Sequence, residues 1–414
     1  MIYPIPNEKT TIRAGKFITN SLNTHSEVTY TRGNSGKPIY FNREILISRS
    51  GNIDISGITH TLSDMANEKL SGSYYGFIRI SGSADILLEK CNLYTRKYNK
   101  SGRSTYDLAI SNVVDGTFKN ISSNDIYDSW RWGIVITDYS KNLVFEGCTL
   151  NRIDAHTGIT NLTVKDCEIG SKGLTMTGSG LLNVINTEIT ANTFITLRAD
   201  YGSTWSGKMN IVDCTYKPLA GSEPKLFMCE FFYDNDIIHD FGYDCKFPEA
   251  YIENLTIDNS SNTKYELVYI IYDNNKTLQD PVPLEYWPSE ITINGYQFMN
   301  SENLSNPHFE LIYSGDNVSV SGFDGENDGE YTANLQYDEK ATDIVVNINA
   351  ETIQQEKLLG DLDNDNKITI LDVRLLLDVI INHSEIDLEV MDMNNDNKVD
   401  ILDLRLLLDV VINQ

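Results

Sequence analysis

From Ile53 to about Ile257, apolar and polar positions alternate in runs too short for helices, and the runs recur. The segments 52–58, 86–91, 143–148, 162–167, 182–187, 209–214 and 252–255 align with Cys or an apolar residue at one fixed place. Leu162 and Val164 alternate with Thr163 and Lys165, which gives a strand one inward face and one wet face. Cys148, Cys167 and Thr187 follow one another at separations of 19 and 20, close to one coil of a stacked repeat. Equivalent positions on successive coils lie about 4.8 Å apart. Cys91, Cys148, Cys167 and Cys214 are therefore expected as small buried fillers rather than as disulfides. Hairpin turns at short intervals, the mark of a sandwich, are missing. The pattern predicts a mainly β chain with a right-handed parallel β-helix over residues 1–300, longer gaps being loops grown from the coil. Residues 301–355, with strand-like runs at 309–313 and 343–349, are expected as a small β module or linker.

The periodicity changes at the end. Asp361, Asp363, Asp365, Lys367, Thr369 and Asp372 recur 31 positions later as Asp392, Asn394, Asp396, Lys398, Asp400 and Asp403. Oxygen side chains occupy positions 1, 3, 5, 9 and 12 of each twelve-residue loop, and position 7 (Lys367, Lys398) adds a backbone carbonyl. This is how an EF-hand loop wraps a hard cation, so two Ca²⁺ are expected, one per loop. Position 12 is Asp rather than Glu, a shorter arm that must draw the following helix toward the ion. Position 6 is Asn (Asn366, Asn397), which tolerates positive φ better than most residues. Helices are predicted at 373–382 and 404–413.

Two loop-helix units with Asp at position 12 resemble a type I dockerin, here residues 356–414. That resemblance implies secretion and calcium-dependent docking to the cohesin module of a scaffoldin. It also implies two binding orientations, because Ile370, Leu371, Arg374, Leu375 and Asp378 are mirrored by Ile401, Leu402, Arg405, Leu406 and Asp409. Many dockerins carry Ser/Thr at loop positions 10 and 11. Ile-Leu stands there in this chain, so an apolar partner surface is expected. Some of these side chains must also fill the core, since so short a unit buries little without its metal.

Composition narrows the partners. The 414-residue chain carries a net charge of −26, which argues against nucleic acid and anionic membranes. No twenty-residue apolar run exists to span a bilayer. The start, Met1 to Pro6, lacks the basic and apolar segments of a signal peptide. Given the secretion that the dockerin resemblance implies, such a signal is expected to have been trimmed. The six cysteines lack the spacing of a zinc ribbon.

Three segments break the coil pattern with charged and aromatic residues: Arg152, Asp154 and His156; Arg198, Asp200, Tyr201 and Trp205; and His239 with Asp240. Segments some 45 residues apart are two or three coils apart, so these side chains are expected to converge on one groove. They resemble the parallel β-helix proteins of the pectate-lyase-like superfamily, phage tail-spikes included. That resemblance implies a polysaccharide as ligand, and its members include lyases, hydrolases, epimerases and non-catalytic binders. Lyase chemistry needs a base, Arg198 or His156, with Asp154 and Asp200 orienting it or holding a catalytic Ca²⁺. Hydrolase chemistry needs paired carboxylates, for which Asp154, Asp200 and Asp240 are candidates. The bland alternatives are a turn cap at His156, a coil-to-coil ion pair at Arg198 and Asp200, and a loop staple at His239 and Asp240. Trp130, Trp132 and Trp205 are candidates for stacking on sugar rings or for burial under a loop. A non-catalytic adhesive β-helix carrying a dockerin is the competing reading.

Overall fold

Strands whose apolar residues alternate stack in register into three parallel ladders. In the computed structural model, the first ladder runs Lys141–Glu146, Ile159–Lys165, Gly178–Ile185, Trp205–Val212, Glu249–Asp258, Glu290–Met299 and Lys340–Asn349. A second runs Gly133–Thr137, Thr149–Ala155, Glu168–Met176, Thr193–Arg198, Lys225–Glu230, Leu267–Asp273 and His308–Tyr313. A short third ladder joins Glu168–Met176, Glu188–Ala191, Thr215–Pro218 and Glu249–Asp258. The fold is a parallel β-helix. The structure describes residues 9–19, 27–28, 39–40, 45–62, 78–93, 106–123, 125–127, 132–156, 158–198, 204–221, 223–230, 248–262, 264–273, 287–313, 319–321, 328–337, 340–350, 359–362, 368–382 and 388–412.

The register is the one the apolar alignment requires: Leu143 pairs with Leu162, Leu162 with Leu182, and Leu182 with Met209. Their inward side chains, with Phe145, Val164, Val184 and Ile211 beside them, form one continuous core. Phe118 and Phe145 stack at 4.8 Å with 16° between their planes. The coil at 113–121 escapes the alignment because Gly116 stands where its neighbours carry Leu or Ile. It pairs with Ile86 below and Leu143 above, and a Cβ there would meet Leu143 Cδ2 at 3.0 Å.

Each coil turns the same corner by the same means. Gly57, Lys90, Asn120, Gly147, Asp166, Asn186, Asp213, Asn254 and Gly295 all have positive φ and stand immediately before the aligned position, which holds Cys, Thr or an apolar residue. Gly, Asn and Asp adopt that conformation most readily. Amides stitch the column, Asn186 Nδ2 donating to Asp166 Oδ1 at 2.8 Å and Asn254 Nδ2 to Asp213 Oδ1 at 2.9 Å. Where the next residue is Cys or Thr, its thiol or hydroxyl donates to the carbonyl two residues back. Cys91 reaches Glu89 O at 3.2 Å, Cys167 reaches Lys165 O at 3.1 Å, and Thr187 reaches Ile185 O at 2.9 Å. Cys91, Cys148, Cys167, Cys214 and Cys229 are buried free thiols. Burial pushes the Cys214 thiol up to about 12.

In the region 301–355, His308–Tyr313 and Lys340–Asn349 add to the parallel ladders, while Gly329–Tyr337 and Ser319–Ser321 pair antiparallel at the edge. The chain divides into two compact units, Met1–Glu351 and Thr352–Gln414. The second packs helix Ile370–Asn382 against helix Ile401–Ile412, with Leu376, Val390 and Leu407 inside. Both helices start three residues earlier than the pattern predicts. The loop itself caps them: Asp403 Oδ2 accepts from Asp400 N at 2.8 Å while Asp400 Oδ1 accepts from Leu402 N at 2.8 Å, a reciprocal capping box.

Asn186→Val places a β-branched residue in the left-handed corner and removes the bond to Asp166. A loss of about 2–3 kcal/mol in denaturant unfolding is expected, and a smaller one for Asn186→Gly. Equal losses would show that the corner's φ is not the constraint.

Candidate functional site

Successive coils deliver the site. On the second ladder Val135, Asp154, Thr175 and Thr196 are in register, and their side chains lie on the face opposite the core. Arg152 and His156 flank Asp154 on its own strand, and Arg198 ends the strand two coils on. The sequence expectation that residues 45 apart converge is met here for Asp154, His156 and Arg198.

Asp154 is fully enclosed, while Arg152 and Arg198 are 15% exposed and His156 21%. Its Oδ2 accepts from Arg152 Nη2 at 2.9 Å and from the Tyr106 hydroxyl at 3.1 Å, and His156 Nδ1 lies 3.3 Å from it. Its Oδ1 faces Arg198 Nη1 at 3.5 Å, and Arg152 Nε donates to Thr175 Oγ1 at 3.2 Å. Burial alone raises the Asp154 carboxyl, but Arg152, His156 and Arg198 outweigh it and hold the group well below the usual carboxylate range. Tyr106 is driven the other way, well above an ordinary phenol, by burial and by the Asp154 charge.

Arg198 Nη1 also lies 2.8 Å from His156 Nδ1. A guanidinium has only donors, so in this arrangement Nδ1 accepts and the ring proton sits on Nε2. Asp154 thus orients and neutralises. Two guanidinium groups and an imidazole occupy the space a Ca²⁺ would need, so the expectation that Asp154 holds a catalytic ion does not fit. Nor does a carboxylate walled in this way suit the hydrolytic pair. Asp200, Tyr201, His239 and Asp240 lie outside the described residues, as does Trp130. Trp205 is wholly buried in the core, and its indole nitrogen donates to Gly180 O at 3.2 Å. Tyr106 joins the cluster although nothing in the sequence marked it, and Arg152, named in its segment, had been given no role there. Arg152 sits two residues from Asp154, a spacing that on a strand puts both on one face. Tyr106, 48 positions away, left no such signal.

A concavity of about 370 Å³, apart from this cluster, follows the corners of four coils. It is lined by Asp166, Glu168, Asn186, Glu188, Asp213 and neighbouring Thr and Cys residues. Its acids are engaged: Glu168 by the Tyr127 hydroxyl at 2.7 Å and Glu188 by Lys217 at 2.6 Å.

In the C-terminal unit the second loop is described throughout. Asp392 accepts from Asp396 N at 3.1 Å and Asn397 N at 2.7 Å, and Asp396 Oδ1 accepts from Lys398 N at 2.9 Å. Asp403 accepts from Asn394 N at 3.2 Å through the oxygen that does not cap the helix. Asn397, at position 6, has φ +64°, as its residue type suggests. Asp361, Asp372, Asp392 and Asp403, positions 1 and 12 of both loops, are buried. In the first loop Asp372 accepts from Leu362 N and Thr369 N. Asp363, Asp365 and Lys367 lie outside the described residues. Among the described residues no three His, Cys, Asp or Glu side chains gather at metal-ligand range. The donor set of the second loop, all oxygen with enclosed carboxylates at both ends, fits a hard cation such as Ca²⁺.

Residues 359–410 match the family model of the dockerin type I domain. The C-terminal unit carries a type I dockerin domain. On it, Ile370, Arg374, Leu375 and Asp378 are exposed, as are Ile401, Leu402, Arg405, Leu406 and Asp409. The side chain of Leu371 is outside the described ones. Ile381 and Ile412, 31 positions apart like the rest, are exposed too and were missed. Part of the chain is 27% identical over 129 residues to "Depolymerase, capsule KL64-specific" of Klebsiella phage P510. The match covers 28% of this chain and 12% of the phage protein's length. No solved structure matches the chain significantly.

Asp154→Asn leaves two guanidinium groups without their counter-charge, at a cost of about 3–5 kcal/mol. Because the folded carboxyl is depressed, its contribution is complete at neutral pH. It fades as pH falls below the ordinary value of about 4 toward the folded one. Wild-type stability should therefore drop more steeply than that of the variant between about pH 4 and 2 in chemical denaturation. Parallel curves would contradict the assignment.

Proposed function

We propose that the β-helix binds an acidic polysaccharide and cleaves it by elimination at the Asp154 cluster, while the dockerin domain attaches the protein outside the cell. The observation that carries this reading is an enclosed carboxylate holding His156 and Arg198 together at the protein surface. Two guanidinium groups and an imidazole around one buried carboxylate leave positive charge facing outward, suited to a uronate carboxylate. The phage depolymerase, by its name, acts on a capsule, and the partial likeness supports a glycan polymer as ligand.

In this reading the substrate carboxylate draws Arg198 from the imidazole. The imidazole then changes tautomer through solvent, releasing its Nε2 proton to water and taking one at Nδ1, where the N–H donates to Asp154 Oδ2 and leaves Nε2 with a lone pair as general base. Nε2 takes the proton α to the carboxylate, and the bond to the glycosidic oxygen breaks as the double bond forms, that oxygen leaving as a hydroxyl with a proton from water. Arg152 and Arg198 stabilise the charge that builds on the carboxylate. Asp154 is a positioning residue. Arg198 as base is the alternative within the same chemistry, and hydrolysis is disfavoured because the enclosed Asp154 offers no open carboxylate. A non-catalytic binding role has one observation in its favour: the charged side chains of the cluster already satisfy one another.

For the second unit, type I dockerin domains bind calcium. Here each loop takes one Ca²⁺, two in all, through Asp361, Asp363, Asp365, Thr369 and Asp372 and through Asp392, Asn394, Asp396, Asp400 and Asp403, with the carbonyls of Lys367 and Lys398. The exposed pairs at Ile370/Ile401 and Leu375/Leu406 meet a cohesin on a scaffoldin of the cellulosome kind. No described helix is long and apolar enough to cross a membrane.

With uronate polymers, ultraviolet absorbance of unsaturated products should rise together with reducing ends. His156→Ala should lower kcat by about 10²–10⁴-fold, the usual span for a general base. Reducing ends without absorbance would mean hydrolysis, and binding without either product would mean a targeting module. Asp361→Ala with Asp392→Ala should remove the helical circular dichroism of the dockerin domain and its cohesin binding in calcium. Retained binding would contradict the metal assignment.

A further inference from the structure

Beside the charged cluster lies a small apolar nest separate from the main core. Tyr106, Ala109 and Val135 are buried there, with Trp132 packed against them and only half-buried. Ala109, Val135 and Asp154 occupy one register column, so the outward face passes from apolar to charged within two coils. Trp132 meets Tyr106 edge-on at 5.1 Å and 60°, and the hydroxyl of Tyr106 reaches Asp154. The backbone next to the indole is pinned as well. Gly133 has φ +68°, and a Cβ there would fall 2.4 Å from Arg152 O and 2.9 Å from Arg152 Cβ. Glycine alone lets this segment lie flush on Arg152. The indole is therefore joined through Tyr106 to the cluster that Asp154 organises, whereas Trp205 and Trp287 are sealed in the core.

A partly open indole, linked through Tyr106 and Asp154 to a cluster that carries two guanidinium groups, matches the two faces of a sugar acid: an apolar C–H face and a carboxylate edge. We propose that Trp132 is the floor of a saccharide subsite on which one pyranose ring of an acidic polysaccharide stacks, adjoining the residue whose carboxylate Arg152 and Arg198 hold. The assignment rests on the acidic-polysaccharide reading above and adds where the chain lies. It runs across Trp132 toward His156.

The test uses the full-length protein in calcium with polygalacturonate, alginate and hyaluronan, and with xylan and mannan as neutral controls. Binding is read by affinity electrophoresis and, where product forms, by kcat and KM. Trp132→Ala should weaken binding to the acidic polymer and raise KM by at least tenfold. Its kcat should change by less than threefold. Trp132→Phe should restore most of the affinity, and melting curves should show both variants folded. An unchanged affinity in Trp132→Ala overturns the subsite and leaves the reading of the cluster intact. So does a loss that Trp132→Phe fails to restore. A wild-type protein that binds none of the three acidic polymers, or only the neutral ones, contradicts the reading itself and the subsite with it.

Discussion

Everything in the larger unit depends on one corner. A residue with positive φ stands at the equivalent place in nine coils, from Gly57 to Gly295, and where Cys or Thr follows it, that side chain turns inward to tie off the carbonyl two residues back. In-register hydrogen bonding between coils then follows, because every coil leaves the corner in the same direction. The 19- and 20-residue coils around Cys148, Cys167 and Thr187 show the minimum repeat. Longer coils keep the corner and lengthen elsewhere. A chain built this way can grow loops without disturbing its core, and loops on a rigid frame are where recognition is placed.

The charged cluster exploits that register. Arg152, Asp154 and His156 need only strand alternation to share a face, and Arg198 reaches them because two coils of stacking bring its strand alongside. Asp154 lies away from solvent, so the positive groups around it are held by a charge that water cannot screen. Positive side chains are thereby fixed outward on a protein whose net charge is −26. That contrast is the basis on which an anionic polymer is proposed as the ligand.

Much of this was legible in the residues. The recurring apolar place gave the coils and their register, because burial imposes an alternation that polar loops do not share. The coil carrying Gly116 was hidden, since glycine carries no apolar signal even where its lack of a side chain is what the packing needs. Asp154, His156 and Arg198 were readable as a cluster from coil arithmetic. Tyr106 was not, because a tyrosine opening a strand looks the same whether its hydroxyl meets water or a buried carboxylate. The burial of Trp205 was equally silent. Early helix starts at Ile370 and Ile401 were missed because loop and helix share residues: Asp400 and Asp403 serve the loop and the capping box at once.

The most direct test of the account is a crystal structure of the His156→Ala protein with an acidic oligosaccharide bound. The account predicts a sugar carboxylate within hydrogen-bonding distance of Arg152 and Arg198, with the glycosidic bond beside the vacated imidazole position. An oligosaccharide seated instead along the acidic corner groove at Asp166, Glu188 and Asp213, with the Asp154 cluster untouched, would contradict it.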